Sequence, residues 1–179
     1  MFHGPHMIRR DIALDPAASL AEIAQAVGAR SVRKEAYLTN IDFTAADIAV
    51  GGTTSISIQI DAMGHFCIGR MNATFWIVAA LNTAVAGTIL PMEPDPSSAS
   101  NQMPNMGMLT GAFSSNSWQW QNTPTRMNLL CGTARFPNWR SINPVVAAND
   151  TLTATIVNNA AVAVRGQISL EGYRIIPQN

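Results

Sequence analysis

Two stretches of this chain alternate apolar and hydroxyl-bearing residues so strictly that they admit only one kind of backbone. From Thr53 to Ile60, Ile56, Ile58 and Ile60 are interleaved with Ser55, Ser57 and Gln59. From Thr151 to Ile156, Leu152, Ala154 and Ile156 are interleaved with Thr151, Thr153 and Thr155. A period of two places every apolar side chain on one face of an extended strand, whereas a helix would scatter them around its axis. Both segments therefore read as strands with one face on a core and the other in water.

The same period runs through the rest of the chain after Tyr37. Phe66 to Arg70 and Ala73 to Leu81 read as two further strands. The second, with Phe75, Trp76, Ile77 and Val78 in succession, is apolar on both faces and belongs in the middle of a sheet. Asn158-Asn159 supplies turn chemistry before Val162 and Val164. In the last strand, Gln167 to Ile175, the apolar phase runs through Ile168 and Leu170 and then slips by one to Tyr173 and Ile175, which predicts a bulge at Gly172. Pro91, Pro94, Pro96 and Pro104 mark a long loop over 91–105, and Pro137 and Pro144 bound a second irregular stretch. Short strands separated by Gly, Pro and Asn turns predict an antiparallel sandwich or barrel.

One segment reads as a helix. Asp15 suits the N-cap, Pro16 the first helical position and Gly28 the left-handed C-terminal cap; Leu20, Ile23 and Val27 form an apolar stripe between them. The expected organisation is an N-terminal arm with this helix over 1–36 and a β-sandwich over 37–179. So narrow a stripe on so short a helix must dock on something. Leu20, Ile23 and Val27 are therefore candidate interaction residues, the arm being read as a strap onto a neighbour.

Composition limits the partners. Of 179 residues, 47% are hydrophobic and 12% charged, and 11 basic residues balance 11 acidic ones. A non-specific grip on nucleic acid requires a large positive excess, so nucleic acid is not an expected partner. The longest apolar run, Phe75 to Leu81, falls far short of the ~20 residues that cross a membrane as a helix. Cys67 and Cys131 lie in apolar surroundings without CxxC spacing and read as buried free thiols, in keeping with a reducing compartment.

Few residues suggest chemistry. Asp61, His65 and Cys67 can be written as a metal site, yet zinc wants three or four converging ligands and Asp61 falls at a turn, so His65 reads as a packed or rim histidine. No cofactor and no metal are expected. Trp118 and Trp120, two apart on a strand, would share a face and could stack on a sugar or fill an interface, or else plug one end of the sandwich. Trp139, between Asn138 and Arg140 in a Pro-bounded loop, is a candidate intersubunit contact, or else packs against its own domain.

The C-terminal third carries Gly132-Thr133-Ala134-Arg135-Phe136-Pro137, then Ile142-Asn143-Pro144, then Asn149-Asp150-Thr151-Leu152-Thr153-Ala154-Thr155-Ile156-Val157-Asn158, and closes with Leu170-Glu171-Gly172-Tyr173-Arg174-Ile175. Together with Gly51-Gly52-Thr53 leading into the isoleucine strand, this resembles small structural proteins of tailed bacteriophage virions, those bound to the head as decoration or cement proteins or found at the neck. The resemblance implies a jelly-roll-like antiparallel β-sandwich with no catalytic residues. It implies a non-enzymatic role on the capsid surface, assembly in the host cytoplasm, and a major capsid protein as partner. Sandwich edge strands and a low-charge surface favour self-association, so a homodimer or homotrimer is also expected. The alternative reading is a carbohydrate-binding or neck or tail-fibre module using Trp118 and Trp120.

Overall fold

The structure, a computed structural model, describes residues 18–80, 85–92, 104–116, 118–121, 123–131, 138–139 and 144–178, with the backbone alone at 118, 138 and 139. In chain order the elements are helix α1 (Leu20–Ala26), β1 (Ser31–Ile48), β2 (Thr53–Gln59), β3 (His65–Ile77), a 3-10 turn (Met106–Met108), β4 (Leu109–Ser115), β5 (Trp118–Gln119), β6 (Thr125–Arg126), the single helical turn α2 (Met127–Leu130), β7 (Asn138–Trp139), β8 (Val145–Val146), β9 (Thr151–Asn158) and β10 (Val164–Gln178).

The strands pair as the arms of one long hairpin: β1 with β10, β2 with β9, β3 with β7 and β8, and β4 with β5 and β6, all antiparallel. Rolling that hairpin up lays β10 against β3 and β9 against β4. The first sheet then has the order β1-β10-β3-β7, with β8 also on β3, and the second the order β2-β9-β4-β5, with β6 also on β4. This winding is a jelly roll, the all-β sandwich expected from the alternation.

The main core lies between the sheets, where Phe43, Phe66, Phe75 and Phe113 are fully buried with Ile41, Ile68, Leu152, Ile156, Ile168 and Leu170. The strands expected over Phe66–Arg70 and Ala73–Leu81 are one, β3, which ends at Ile77. It does run inside its sheet: Phe75 and Ile77 point into the core, while Trp76 lies half-buried and forms a bridge to Ile89.

A second, smaller cluster sits on the outer face of the first sheet, where Val32, Cys67, Val145 and Ile175 are covered by Ile23 and Ala24 of α1. That cluster accounts for the phase slip in β10. The register of β10 with β1 is unbroken from Ser31 opposite Gln178 to Phe43 opposite Gly166. A shift against β3 does fall between Glu171 and Gly172, but the additional residue is Gly69 of β3. Tyr173 and Ile175 therefore stay on the same outer face as Ser169 and Glu171; that face turns apolar because a helix lies on it.

Helix α1 begins later than expected. Ser19 is its N-cap: the Glu22 N–H donates to Ser19 Oγ at 3.3 Å and the Ser19 N–H donates to Glu22 Oε2 at 2.8 Å, a reciprocal capping box. Asp15 and Pro16 lie outside the described residues. Gly28 ends the helix at φ +69°, as its residue type predicts. Because β1 starts at Ser31, the sandwich takes in residues that the sequence assigns to the arm.

Candidate interaction surfaces

The bulge shapes the first candidate. Gly69 and Gly172 carry no side chain where β1, β3 and β10 run side by side, and this leaves a groove of about 420 Å³ walled by Ala36, Leu38, Arg70 and Glu171. Leu38 stands at its rim, 58% exposed. Arg70 and Glu171 are directly opposite in register and form an ion pair, and Glu171 Oε1 also accepts from Asn72 Nδ2 at 2.9 Å. The two charges compensate each other in place, so the groove favours a small uncharged group over an ion that would have to displace one partner.

The second candidate is the outer face of the second sheet. Thr53, Ser55, Ser57 and Gln59 of β2 point outward and are exposed. Beside them lie Thr151, Thr153 and Thr155 of β9, then Thr110, Ala112 and Ser114 of β4, all half-exposed. Ser55 and Thr155 hydroxyls meet at 2.7 Å, and Ser57 and Thr153 at 2.8 Å. No charged residue occurs in β2, β4 or β9. Such a surface offers donors and acceptors in rows and loses far less on desolvation than an ionised one.

The residues singled out in the sequence fare unequally. Ile23 is 0% exposed against its own sheet and Val27 packs on the same cluster, so the stripe docks within the chain, contrary to the strap; Leu20 alone of the three is exposed, at 51%. Trp120 lies just past β5, which ends at Gln119, and its N–H donates to the Phe113 carbonyl at 2.9 Å. Trp120 stacks on Phe113 with ring centroids 5.3 Å apart and packs against the main core. Its ring thus completes one end of the sandwich instead of offering a free platform. Trp118 pairs through its backbone with Ser115, and Trp139 pairs through its backbone with Arg70; their side chains lie outside the described residues.

Asp61, His65 and Cys67 do not converge. His65 Nδ1 accepts the Ala148 N–H at 3.2 Å, and burial pushes the imidazole below its ordinary pKa. Asp61 accepts from Arg174 at 2.7 Å and from the Met63 N–H at 2.7 Å. Cys67 is buried under α1, and burial pushes its thiol above the usual range. Cys67 and Cys131 are both buried, as expected. Among the described residues no group of three or more His, Cys, Asp or Glu could hold a metal ion, and no helix is long and apolar enough to cross a membrane.

Sequence reasoning missed the groove and half-saw the hydroxyl face. Arg70 and Glu171 are 101 residues apart, and nothing local to either marks them as partners. The serines of β2 and the threonines of β9 were visible as two separate polar phases; only the cross-strand register makes them one surface. No family model and no curated protein matches this chain.

Proposed function

We propose that this chain is a non-enzymatic structural protein of a tailed-bacteriophage particle, a decoration or cement protein that binds and stabilises the head shell from the capsid surface. The observation that carries the reading is the jelly-roll winding that brings the outward hydroxyls of β2, β9 and β4 onto one face, with no charged residue in those three strands. Jelly rolls recur as building blocks of viral capsids, and they also serve as lectins and other binding domains.

A protein that coats a lattice must hold on through many equivalent contacts under changing salt. Hydroxyl and amide rows suit that task, since their hydrogen bonds are weakened little by ionic screening. The partner in this reading is the major capsid protein, met by Ser55, Ser57, Thr153 and Thr155, with neither nucleic acid nor membrane involved. Residues 1–17, outside the described residues, have no assigned part in it.

The test is to tag the chain in the genome that encodes it and purify the particles on a density gradient. Co-migration with filled heads at a fixed copy number, resistant to molar salt, supports the reading. A chain that stays with the soluble fraction overturns it. Substituting Thr153→Lys and Thr155→Lys is expected to release it from the heads while leaving it folded.

A further inference from the structure

Every sheet edge must deal with unpaired backbone groups, and three of the four edges here do so visibly. The β1 edge carries Arg33, Lys34, Glu35, Asp42 and Asp47 and loses its regular register between Phe43 and Ile48. The far edges, β7 and β8 in one sheet and β5 and β6 in the other, are strands of two residues each. β2 is the exception: seven regular residues, Thr-Thr-Ser-Ile-Ser-Ile-Gln, with no charge, no proline and no register shift. Among the described elements it pairs with β9 alone.

The unused groups of β2 can be assigned. The Asn158 N–H donates to the Gly52 carbonyl and the Ile60 N–H to the Asp150 carbonyl, each at 2.9 Å, which sets the hydrogen-bonding phase at both ends of the β2–β9 ladder. Alternation then directs the backbone groups of Thr54, Ile56 and Ile58 toward β9, and those of Thr53, Ser55, Ser57 and Gln59 toward the open edge. The same edge leaves the core-facing side chains incompletely covered. Ile56 and Ile58 are half-buried, while Ala154 and Leu152 opposite them are 0% exposed.

We propose that β2 pairs antiparallel with β2 of a second copy of this chain, forming a two-fold dimer with one continuous sheet across it. Centring the axis on Ile56 sets Thr53 opposite Gln59 of the second copy and Ser55 opposite its Ser57, so every outward-directed N–H and C=O meets a partner. Ile56 meets its own counterpart over the exposed margin of the core, and Ser55 and Ser57 repeat across the axis the hydroxyl pairing they already make with β9. No like charges face each other. The register that uses all seven residues is the self-complementary one, which commits the assembly to a dimer and excludes a trimer through this edge. This inference does not rest on shell binding: the dimer forms in the absence of any particle.

The experiment compares three full-length chains by sedimentation equilibrium. The natural chain is expected to sediment at twice its 19.2 kDa monomer mass. The pair Ser55→Lys and Ser57→Lys sets lysine against lysine across the axis and is expected to weaken the dimer about tenfold or more. Ser55→Lys with Ser57→Glu sets lysine against glutamate and is expected to restore it, which shows that the lysine pair dissociates by repulsion and not by unfolding. A monomeric or trimeric natural chain overturns the proposal. So does a dimer indifferent to the lysine pair, and so does failure of the lysine–glutamate chain to dimerise while its melting temperature matches the natural one.

Discussion

Gly172 lies so close to Cys67 that a β-carbon on it would stand 2.0 Å from the Cys67 carbonyl oxygen and 2.9 Å from the Gly69 nitrogen. Both neighbours are backbone and cannot swing aside. The bulge that lets β3 change phase, so that Ile68 faces the main core and Cys67 the helix-covered cluster, therefore depends on glycine at 172. Gly172→Ala is expected to lower stability by about 1 to 3 kcal/mol or more, as overpacking does. At Gly69 the same addition meets nothing closer than 3.6 Å. Gly69→Ala should change stability by less than about 1 kcal/mol. Urea unfolding of the two variants checks the contrast, and equal losses would place the constraint elsewhere.

Asn158 ties three segments together. Fully buried, it donates from Nδ2 to the carbonyls of Ile48 and Val162, each at 2.9 Å, and of Ala49 at 3.2 Å, while its Oδ1 accepts the Ala160 N–H at 2.9 Å. Asn158→Leu strands those backbone groups beside an apolar side chain. The expected loss is about 2 to 4 kcal/mol, since each orphaned buried group costs about 1 to 3. Thermal unfolding measures it, and a melting temperature within a degree of the natural chain would refute the clamp.

The docking of α1 on its own sheet has a direct consequence. Ile23→Ala removes a side chain with no exposed surface and is expected to cost about 2 to 5 kcal/mol. Leu20→Ala, one turn away and half-exposed, is expected to stay within about 0.5 kcal/mol. Chemical denaturation curves separate them. Similar small losses for both would mean that the helix leaves the sheet in solution.

His65 makes stability fall with acid. Burial lowers its proton affinity in the folded chain, so as pH drops the unfolded chain binds a proton first. Above the ordinary imidazole value of about 6.5 the residue is neutral in both states and has no effect. Stability is lost as pH falls through that value and stops falling below the folded pKa. The proton would also destroy the acceptor used by the Ala148 N–H. Urea midpoints at about pH 7.5 and about pH 5.5 should differ for the natural chain and draw together in His65→Gln.

The sequence by itself determined the strands whose information is local. The isoleucines of β2 and the threonines of β9 alternate without interruption, and any backbone that buries the one set must expose the other, so their extended form and their inward faces were legible. Gly28 at the end of α1 was legible too, because its position depends on a conformation that few residue types accept. Asp15 and Ser19 are both good caps in isolation. Ser19 caps α1 through Glu22 three residues on, a signature present in the sequence and overlooked beside Pro16.

Tertiary structure alone decided what each strand lies against. A one-residue slip of the apolar phase looks the same whether a strand bulges or its outer face acquires a cover, and only the helix lying on Ile175 and Cys67 tells the two apart. The pairing of Arg70 with Glu171 and the merging of two hydroxyl rows into one face come from rolling the long hairpin, which joins residues about a hundred positions apart. Contacts of that separation leave no periodicity behind, since closure of the whole chain sets them and neighbouring residues do not.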